Sequence, residues 1–163
     1  MSEVATDFGF SYEYGVDIKI DDAYQPIRFI SAVAPAVTPV TADAATYDDL
    51  GAPNEVKLSE SWTLAFTIQQ HRDDTGAYMP EVEALLDLAA PDATGERATG
   101  EFRWYDKPAN GDPNPNDAYE GLATVQVERG QTGNNEIGGW SITLTGRGRR
   151  TRIENPLVTA GNP

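Results

Sequence analysis

Alternating apolar and polar residues dominate the chain, and this pattern predicts β-strands that bury one face. Val16, Ile18 and Ile20 alternate with charged residues, and the clearest alternation runs over residues 62–69. Further strands are predicted over residues 27–33, 99–106, 119–129 and 139–147. Strands of this kind, separated by turns rich in Gly, Pro and Asp, predict a mainly β fold, either an antiparallel β-sandwich or an open barrel.

One packed α-helix is predicted, from about residue 80 to residue 90. Pro80 suits the first helical position, while Glu81 and Glu83 complement the positive end of the helix dipole. The apolar residues at helical spacing are Val82, Leu85, Leu86 and Ala89. They form one stripe, so we expect the helix to pack on the sheet.

Residues 35–60 have no periodic pattern and are rich in Pro, Thr, Ala and Asp. A segment of this length inside a compact domain is usually functional or disordered. We interpret it as a long inter-strand loop, with a hairpin that reaches away from the body as the alternative. The whole chain, residues 1–163, is expected to form a single domain with an N-terminal arm at about 1–12 and a C-terminal tail at about 148–163.

Little in the sequence points to catalysis. The chain has no cysteine, which excludes thiol nucleophiles, disulfides and thiolate metal sites. His71 is the only histidine, and no Gly-x-Ser-x-Gly motif supplies a nucleophile. We therefore interpret His71 as structural or solvated, and we predict that the protein is not an enzyme and needs no cofactor.

The loop over residues 112–117 is the one candidate for metal binding. Asp112, Asn114 and Asn116 offer oxygen ligands at alternate positions, as a calcium loop would. An EF-hand requires Gly at the sixth position and Glu at the twelfth, which are here Asp117 and Ala123. A plain surface loop is therefore the favoured interpretation, and no metal site is predicted.

Charge is unevenly distributed. Twenty-six acids against 12 bases give a net charge of −14, which argues against sequence-independent binding of nucleic acid. The acids dominate residues 1–120, whereas residues 121–163 carry three acids and five bases. The N-terminus, MSEVATDFGF, is acidic where a secretory signal is basic and then apolar, so we expect cytoplasmic synthesis without membrane insertion.

The polar face of the predicted strands carries small uncharged side chains. They are Thr63, Thr67, Gln69, Thr124, Gln126, Ser141, Thr143 and Thr145. A solvated sheet face usually carries Lys and Glu, yet the chain has only three lysines. Such a face suits a wall that lines a channel or that a neighbouring subunit covers; a threonine-rich solvent face that reflects β-propensity is the alternative.

Several segments together resemble the tail tube (major tail) proteins of long-tailed phages of the siphophage type, especially those that infect actinobacteria. The similarity spans residues 15–156, most of the chain. It is carried by Ser61-Trp62-Thr63-Leu64, His71-Arg72-Asp73, Pro80 to Leu86, Phe102 to Asp106, Trp140 to Gly148 and Asn155-Pro156. None of these is a catalytic signature; they are strands, a helix and Gly turns in a fixed order.

This resemblance implies a virion protein that assembles with itself. Six copies would form a ring, stacked rings would form the tail tube, and genomic DNA would pass through without specific binding. Implied partners are the other tail proteins (tape measure, terminator and distal tail protein), with assembly in the host cytoplasm.

Two groups of residues are the candidate contacts between subunits in such a tube. The basic candidates, which we expect to meet acids of another subunit, are Arg147, Arg149, Arg150 and Arg152. The apolar candidates are Val37, Val40, Leu50, Val56 and Leu58. The eight small polar residues of the strands would form the wall of the lumen.

Other interpretations stay open at this point. The inner tube of a contractile secretion system, or a tail terminator, belongs to the same structural class. A β-sandwich module that binds carbohydrate is a different class, and it would use Trp62, Trp104 or Trp140 as stacking platforms.

Overall fold

The alternating segments of the sequence form antiparallel strands. The computed structural model of the chain describes residues 6–160. The strands within this range are β1 (Tyr14–Ile20), β2 (Ala23–Pro26), β3 (Ile30–Asp43), β4 (Glu55–Gln69), β5 (Thr99–Asp106), β6 (Ala118–Gly130), β7 (Gly139–Gly146) and β8 (Thr151–Arg152). The α-helices are α1 (Pro80–Leu88) and α2 (Pro156–Ala160), and 3₁₀ turns span Tyr47–Asp49 and Gly95–Ala98. None of these helices is long and apolar enough to cross a membrane.

All strands join one sheet in the order β2–β1–β5–β6–β7–β4–β3, with β8 beside β6. Trp62 of β4 and Trp104 of β5 have ring centroids 4.7 Å apart, although two strands lie between them. The sheet is therefore curled around its buried face as a half-barrel. The predicted mainly β, antiparallel class is confirmed, and the open form is the architecture adopted.

The buried face of the curled sheet holds the core. Its members include Val16, Ile18, Trp62, Leu64, Phe66, Ile68, Phe102, Trp104, Val125, Trp140, Ile142 and Leu144. Helix α1 covers this face with Val82 and Leu85, as its apolar stripe predicts. The Glu83 side chain accepts a hydrogen bond from the backbone N–H of Tyr78 at the start of the helix.

The predicted strand over residues 27–33 is wrong in its bounds. The chain first turns at Asp21 and Asp22, whose φ angles of 51° and 65° fit a two-residue hairpin turn between Ile20 and Ala23. β2 then ends at Pro26, and β3 begins only at Ile30 because Phe29 has a φ of 64°, outside the extended region of regular strands.

β3 and β4 form one long hairpin, here called the ribbon (residues 30–69). Its register runs from Ile30 opposite Ile68 to Asp43 opposite Glu55. The prediction of a loop over residues 35–60 is therefore wrong for most of its length, and the hairpin alternative is the correct one. Only residues 44–54, here called the tip, lie outside the strands. The periodic pattern fails there because the outer part of the ribbon buries neither face.

The C-terminal tail, expected from residue 148 onward to lack a fold of its own, is attached to the body. It contributes β8 and α2. The Asn155 side chain is fully buried, and its Nδ2 donates to the carbonyl oxygens of Asp106 at 2.8 Å and Asn114 at 3.0 Å. Its Oδ1 accepts from the N–H of Leu157 at 3.0 Å, which caps the start of α2.

Candidate assembly surfaces

The eight predicted wall residues lie on the sheet face opposite the core. The register places Thr63 opposite Thr145, and Thr145 opposite Thr124, so that one row crosses β4, β7 and β6. Thr143 lies opposite Gln126 in the same way. The remaining three, Thr67, Gln69 and Ser141, follow on the same face. The sequence thus predicted the composition of a continuous surface that only strand pairing assembles.

This surface extends onto β3, which the sequence did not assign to it. Ala36 lies opposite Thr63, Ala34 opposite Ala65, and Thr38 opposite Ser61. We call the resulting surface the uncharged face. Its members are Ala32, Ala34, Ala36, Thr38, Val40, Ser59, Ser61, Thr63, Ala65, Thr67, Gln69, Thr124, Gln126, Ser141, Thr143 and Thr145. These sixteen positions carry no ionisable side chain, and Glu128, opposite Ser141 on β6, is an acid that borders them on the same face.

The other half of the same sheet face, on β1 and β5, is different because it is charged and largely covered by its own side chains. The Asp17 side chain is 2% exposed. It accepts hydrogen bonds from Arg103 Nε at 2.6 Å and from the Tyr105 hydroxyl at 3.0 Å. Tyr24 lies beneath the Arg103 guanidinium, 4.2 Å from ring centroid to Cζ. Burial and the Asp17 carboxylate raise the pKa of Tyr105 well above its ordinary value, so its hydroxyl stays protonated as a donor. Only the uncharged half remains open for a partner or a solvent channel.

The ribbon exposes the five apolar residues that the sequence named as candidate contacts. They are Val37, Val40, Leu50, Val56 and Leu58, all classed as exposed. Leu50 at the tip is 92% exposed, whereas Val37, near the body, is 39% exposed. The ribbon thus exposes apolar side chains along both strands and at the tip, as expected for a segment that meets another chain.

The outer edge of the ribbon is unsuited to extension by a further strand. β3 ends the sheet, and it carries Pro35 and Pro39, opposite Leu64 and Glu60. A proline nitrogen carries no hydrogen to donate to a neighbouring strand, so on an edge strand it lies on the side that faces away from the sheet. Two donors that an added strand would need are therefore missing. Neighbours are expected to contact the ribbon through side chains.

Two of the four candidate arginines are engaged within the chain. Arg147 Nη1 donates to Glu96 Oε1 at 3.0 Å. Arg150 donates to Glu60 on β4, and its guanidinium lies 4.3 Å from the ring centroid of Tyr119. Arg150 therefore fixes the C-terminal segment against the ribbon and is not a free surface charge.

The hydrogen bond from Arg150, followed by one from Lys57, lowers the pKa of Glu60 to about 2. Glu60 is thus ionised at any physiological pH. The Trp62 indole reinforces this attachment, because its Nε1 donates to the Gly148 carbonyl oxygen at 3.2 Å.

Arg149 and Arg152 form no ion pair or side-chain hydrogen bond with residues 6–160. Arg149 lines a concavity beside Leu58, and both arginines line a second one beside Glu60. These two arginines, together with Leu58, are here called the basic patch. The two arginines are the part of the predicted basic cluster that remains available to another molecule.

The tryptophans are not platforms for glycans. Trp62, Trp104 and Trp140 are each at most 3% exposed. An aromatic ring that stacks on a sugar must present a face to solvent. The hypothesis of a carbohydrate-binding module therefore loses the residues on which it depended.

His71 stacks on Phe29, with ring centroids 3.7 Å apart and an interplanar angle of 18°. Its Nε2 lies 3.3 Å from Gln69 Oε1. Over residues 6–160, no three His, Asp or Glu side chains are grouped so that they could hold a metal ion. In the candidate calcium loop, Asn114 is tied to Asp106 by a 3.0 Å hydrogen bond from its N–H, as in an ordinary surface loop.

Sequence reasoning missed three buried polar groups that position these surfaces. Asp17 and Asn155 are described above, and the third is Glu81, 2% exposed, which accepts from Arg28 Nε at 2.8 Å and Nη2 at 3.1 Å. Burial alone would raise the pKa of Glu81, but these bonds outweigh it and the net shift is downward. Only Asn155 carried a local signal, since Asn before Pro is a common start of a helix.

No protein-family model matches the chain, and no curated protein sequence is similar to it. Solved structures are similar in fold. A chain in the virion of a native gene transfer agent (GTA) particle has a TM-score of 0.62 and 11% identity, over 90% of this chain and 99% of that chain. A chain in the tail of an empty GTA particle, from helical refinement with C6 symmetry, has a TM-score of 0.63 and 10% identity over the same shares. The similarity is one of fold, and it covers nearly the full length of both compared chains.

Proposed function

We propose that this chain is a structural protein of the tail of a phage or phage-like particle, and specifically the subunit of the tail tube. The observation that carries the proposal is the uncharged face, held on a fold that is similar to chains of GTA virion and tail particles. Six copies form a ring, and stacked rings form the tube. The six-fold order follows the C6 symmetry of that GTA tail.

The uncharged face is the proposed wall of the lumen. Each Lys or Arg that contacts a phosphate adds an attraction that must be broken again for DNA to move, and this face carries none. The net charge of −14 repels the DNA backbone over about one Debye length, roughly 8 Å at physiological salt. Genomic DNA therefore passes without specific binding.

The remaining surfaces serve assembly. Outside the uncharged face, the exposed side chains of the ribbon contact neighbouring copies, and the interrupted edge of β3 keeps these contacts from becoming an extended sheet. In the virion the tube also meets the tape measure, the terminator and the distal tail protein. Assembly takes place in the host cytoplasm without a cofactor, a metal or membrane insertion.

Self-assembly is tested by sedimentation velocity over a concentration series, with negative-stain electron microscopy of the fastest species. Rings or tubes with a central channel are expected. A protein that stays monomeric at high concentration, alone and with its tail proteins, would refute the proposal.

The lumen assignment is tested by cysteine labelling, because the chain has no cysteine of its own. Gln126→Cys places a thiol on the uncharged face, and Asp92→Cys, at an exposed turn after α1, is the matched control. In assembled tubes, a small maleimide should label both variants, whereas a large polymer maleimide should label only Asp92→Cys. Labelling of Gln126→Cys by the polymer, or by neither reagent, would show that this face does not line a channel.

A further inference from the structure

The tip of the ribbon presents two apolar side chains directly to solvent. Tyr47 is 99% exposed and Leu50 is 92% exposed. Leu50 also has a φ of 54°, in the left-handed region that a residue with a side chain rarely occupies. A glycine at this position would remove both the backbone strain and the exposed apolar area. The presence of leucine therefore indicates a role outside the isolated subunit.

Internal hydrogen bonds hold the tip in a defined shape. Thr46 and Asp49 form a reciprocal capping box around the 3₁₀ turn. The Asp43 Oδ1 accepts from the N–H of Ala45 at 2.9 Å and from the N–H of Asn54 at 3.1 Å, which closes the base of the tip. These bonds lower the pKa of Asp43, with the bond from Asn54 as the larger cause. A segment that is already ordered loses little entropy when it binds.

The tip and the basic patch have complementary charges. The carboxylates of Asp48 and Glu55, at the tip and its base, form no ion pair or hydrogen bond with residues 6–160. The side chains of Arg149 and Arg152 likewise form no ion pair or hydrogen bond with residues 6–160, and Leu58 is 66% exposed beside Arg149. One surface thus offers carboxylates around apolar side chains, and the other offers guanidinium groups around an apolar side chain.

We infer that the tip of one copy docks on the basic patch of a second copy, with Leu50 and Tyr47 as apolar anchors and Asp48 and Glu55 facing the two arginines. This contact rests on the proposed function, since it is one of the contacts that build the tube. Two different patches meet, so the contact is heterologous, and its repetition links copies into a ring or a longer array.

The test uses charge exchange between the two surfaces. The tip variant is Asp48→Lys with Glu55→Lys; Asp49 is left intact because it closes the capping box. The patch variant is Arg149→Glu with Arg152→Glu. Each variant alone should fail to assemble, because like charges then meet at every contact. An equimolar mixture should assemble, because each altered surface then finds its complement on the other variant.

The matched control is Asp74→Lys with Asp112→Lys, which changes the net charge by the same amount at exposed sites outside the tip. This control should assemble as the wild type does. Normal assembly of either surface variant alone, or failure of the mixture, would refute this contact while leaving the proposed function intact. A wild type that never assembles would instead refute the proposed function.

Leu50→Gly gives a second, independent readout. The isolated subunit should be at least as stable as the wild type in urea, because glycine favours the positive φ. The concentration needed for half-maximal assembly should nevertheless rise about tenfold or more, as for loss of a buried anchor residue. Ile137→Ala, which removes an exposed apolar side chain from another loop, should leave that concentration unchanged. Unchanged assembly of Leu50→Gly would overturn the inference.

Discussion

Gly146→Ala is expected to destabilise the subunit through the Trp62 indole. A Cβ atom at position 146 would lie 2.7 Å from Trp62 Cδ1 and closer still to Cε2 and Nε1. The six-membered part of the indole is also tightly packed, because a Cβ at Gly121 would lie 2.7 Å from Trp62 Cζ2. Trp62 is also fixed by Trp104 at 4.7 Å, so the added methyl group must displace a packed ring.

The magnitude follows from two contributions. Overpacking of a well-filled core costs about 1–3 kcal/mol, and displacement of the indole loses its hydrogen bond to the Gly148 carbonyl oxygen, about 1 kcal/mol. The sum, about 2–4 kcal/mol, is a large part of a typical folding free energy of about 5–15 kcal/mol. With a denaturant slope of about 2 kcal/mol per molar urea, the midpoint should fall by about 1–2 M.

The assay is urea unfolding followed by far-ultraviolet circular dichroism. Gly9→Ala is the matched control, because no atom lies within 4 Å of its added Cβ, and it should change stability by less than about 0.5 kcal/mol. Gly121→Ala meets fewer indole atoms at close range and should fall between the two. A Gly146→Ala protein within about 0.5 kcal/mol of the wild type would refute this account of the packing.

Two further predictions concern the C-terminal segment. Asn155→Ala should lower the unfolding free energy in urea by about 2–4 kcal/mol, because it leaves two carbonyl oxygens without their donor. Asn116→Ala, at an exposed site in the neighbouring loop, should be neutral. Equal stability of the two variants would contradict the prediction. The folded-state pKa of Glu60 is about 2, below its ordinary value of 4.5, so its contribution to stability is complete above about pH 4.5 and is lost as pH falls toward 2. The difference in unfolding free energy between wild type and Glu60→Gln should therefore be constant from pH 7 to about pH 5 and shrink below, whereas a difference that grows on acidification would contradict the ion pair with Arg150.

Where one face of a strand or helix is buried, the sequence by itself determined the element. Trp62 to Gln69 and Val82 to Leu85 show this, because burial of one face imposes a period of two on the strand and of 3.6 on the helix. The same alternation identified the small uncharged side chains opposite the core. It could not show that they form one surface, since that depends on which strands are neighbours and in what register.

Tertiary structure alone decided the ribbon and the partners of the charged residues. Residues 35–43 form a strand because β4 satisfies their backbone, and no buried face leaves a pattern in their sequence. Arg150 and Arg149 are neighbours in a basic run, yet Glu60, 90 positions away, engages only the first. Asp17 is buried because Arg103, 86 positions away, neutralises it. Contacts at such separations are set by which strands pair and in what register, as for Asp17 opposite Arg103, and no local pattern of residues encodes them.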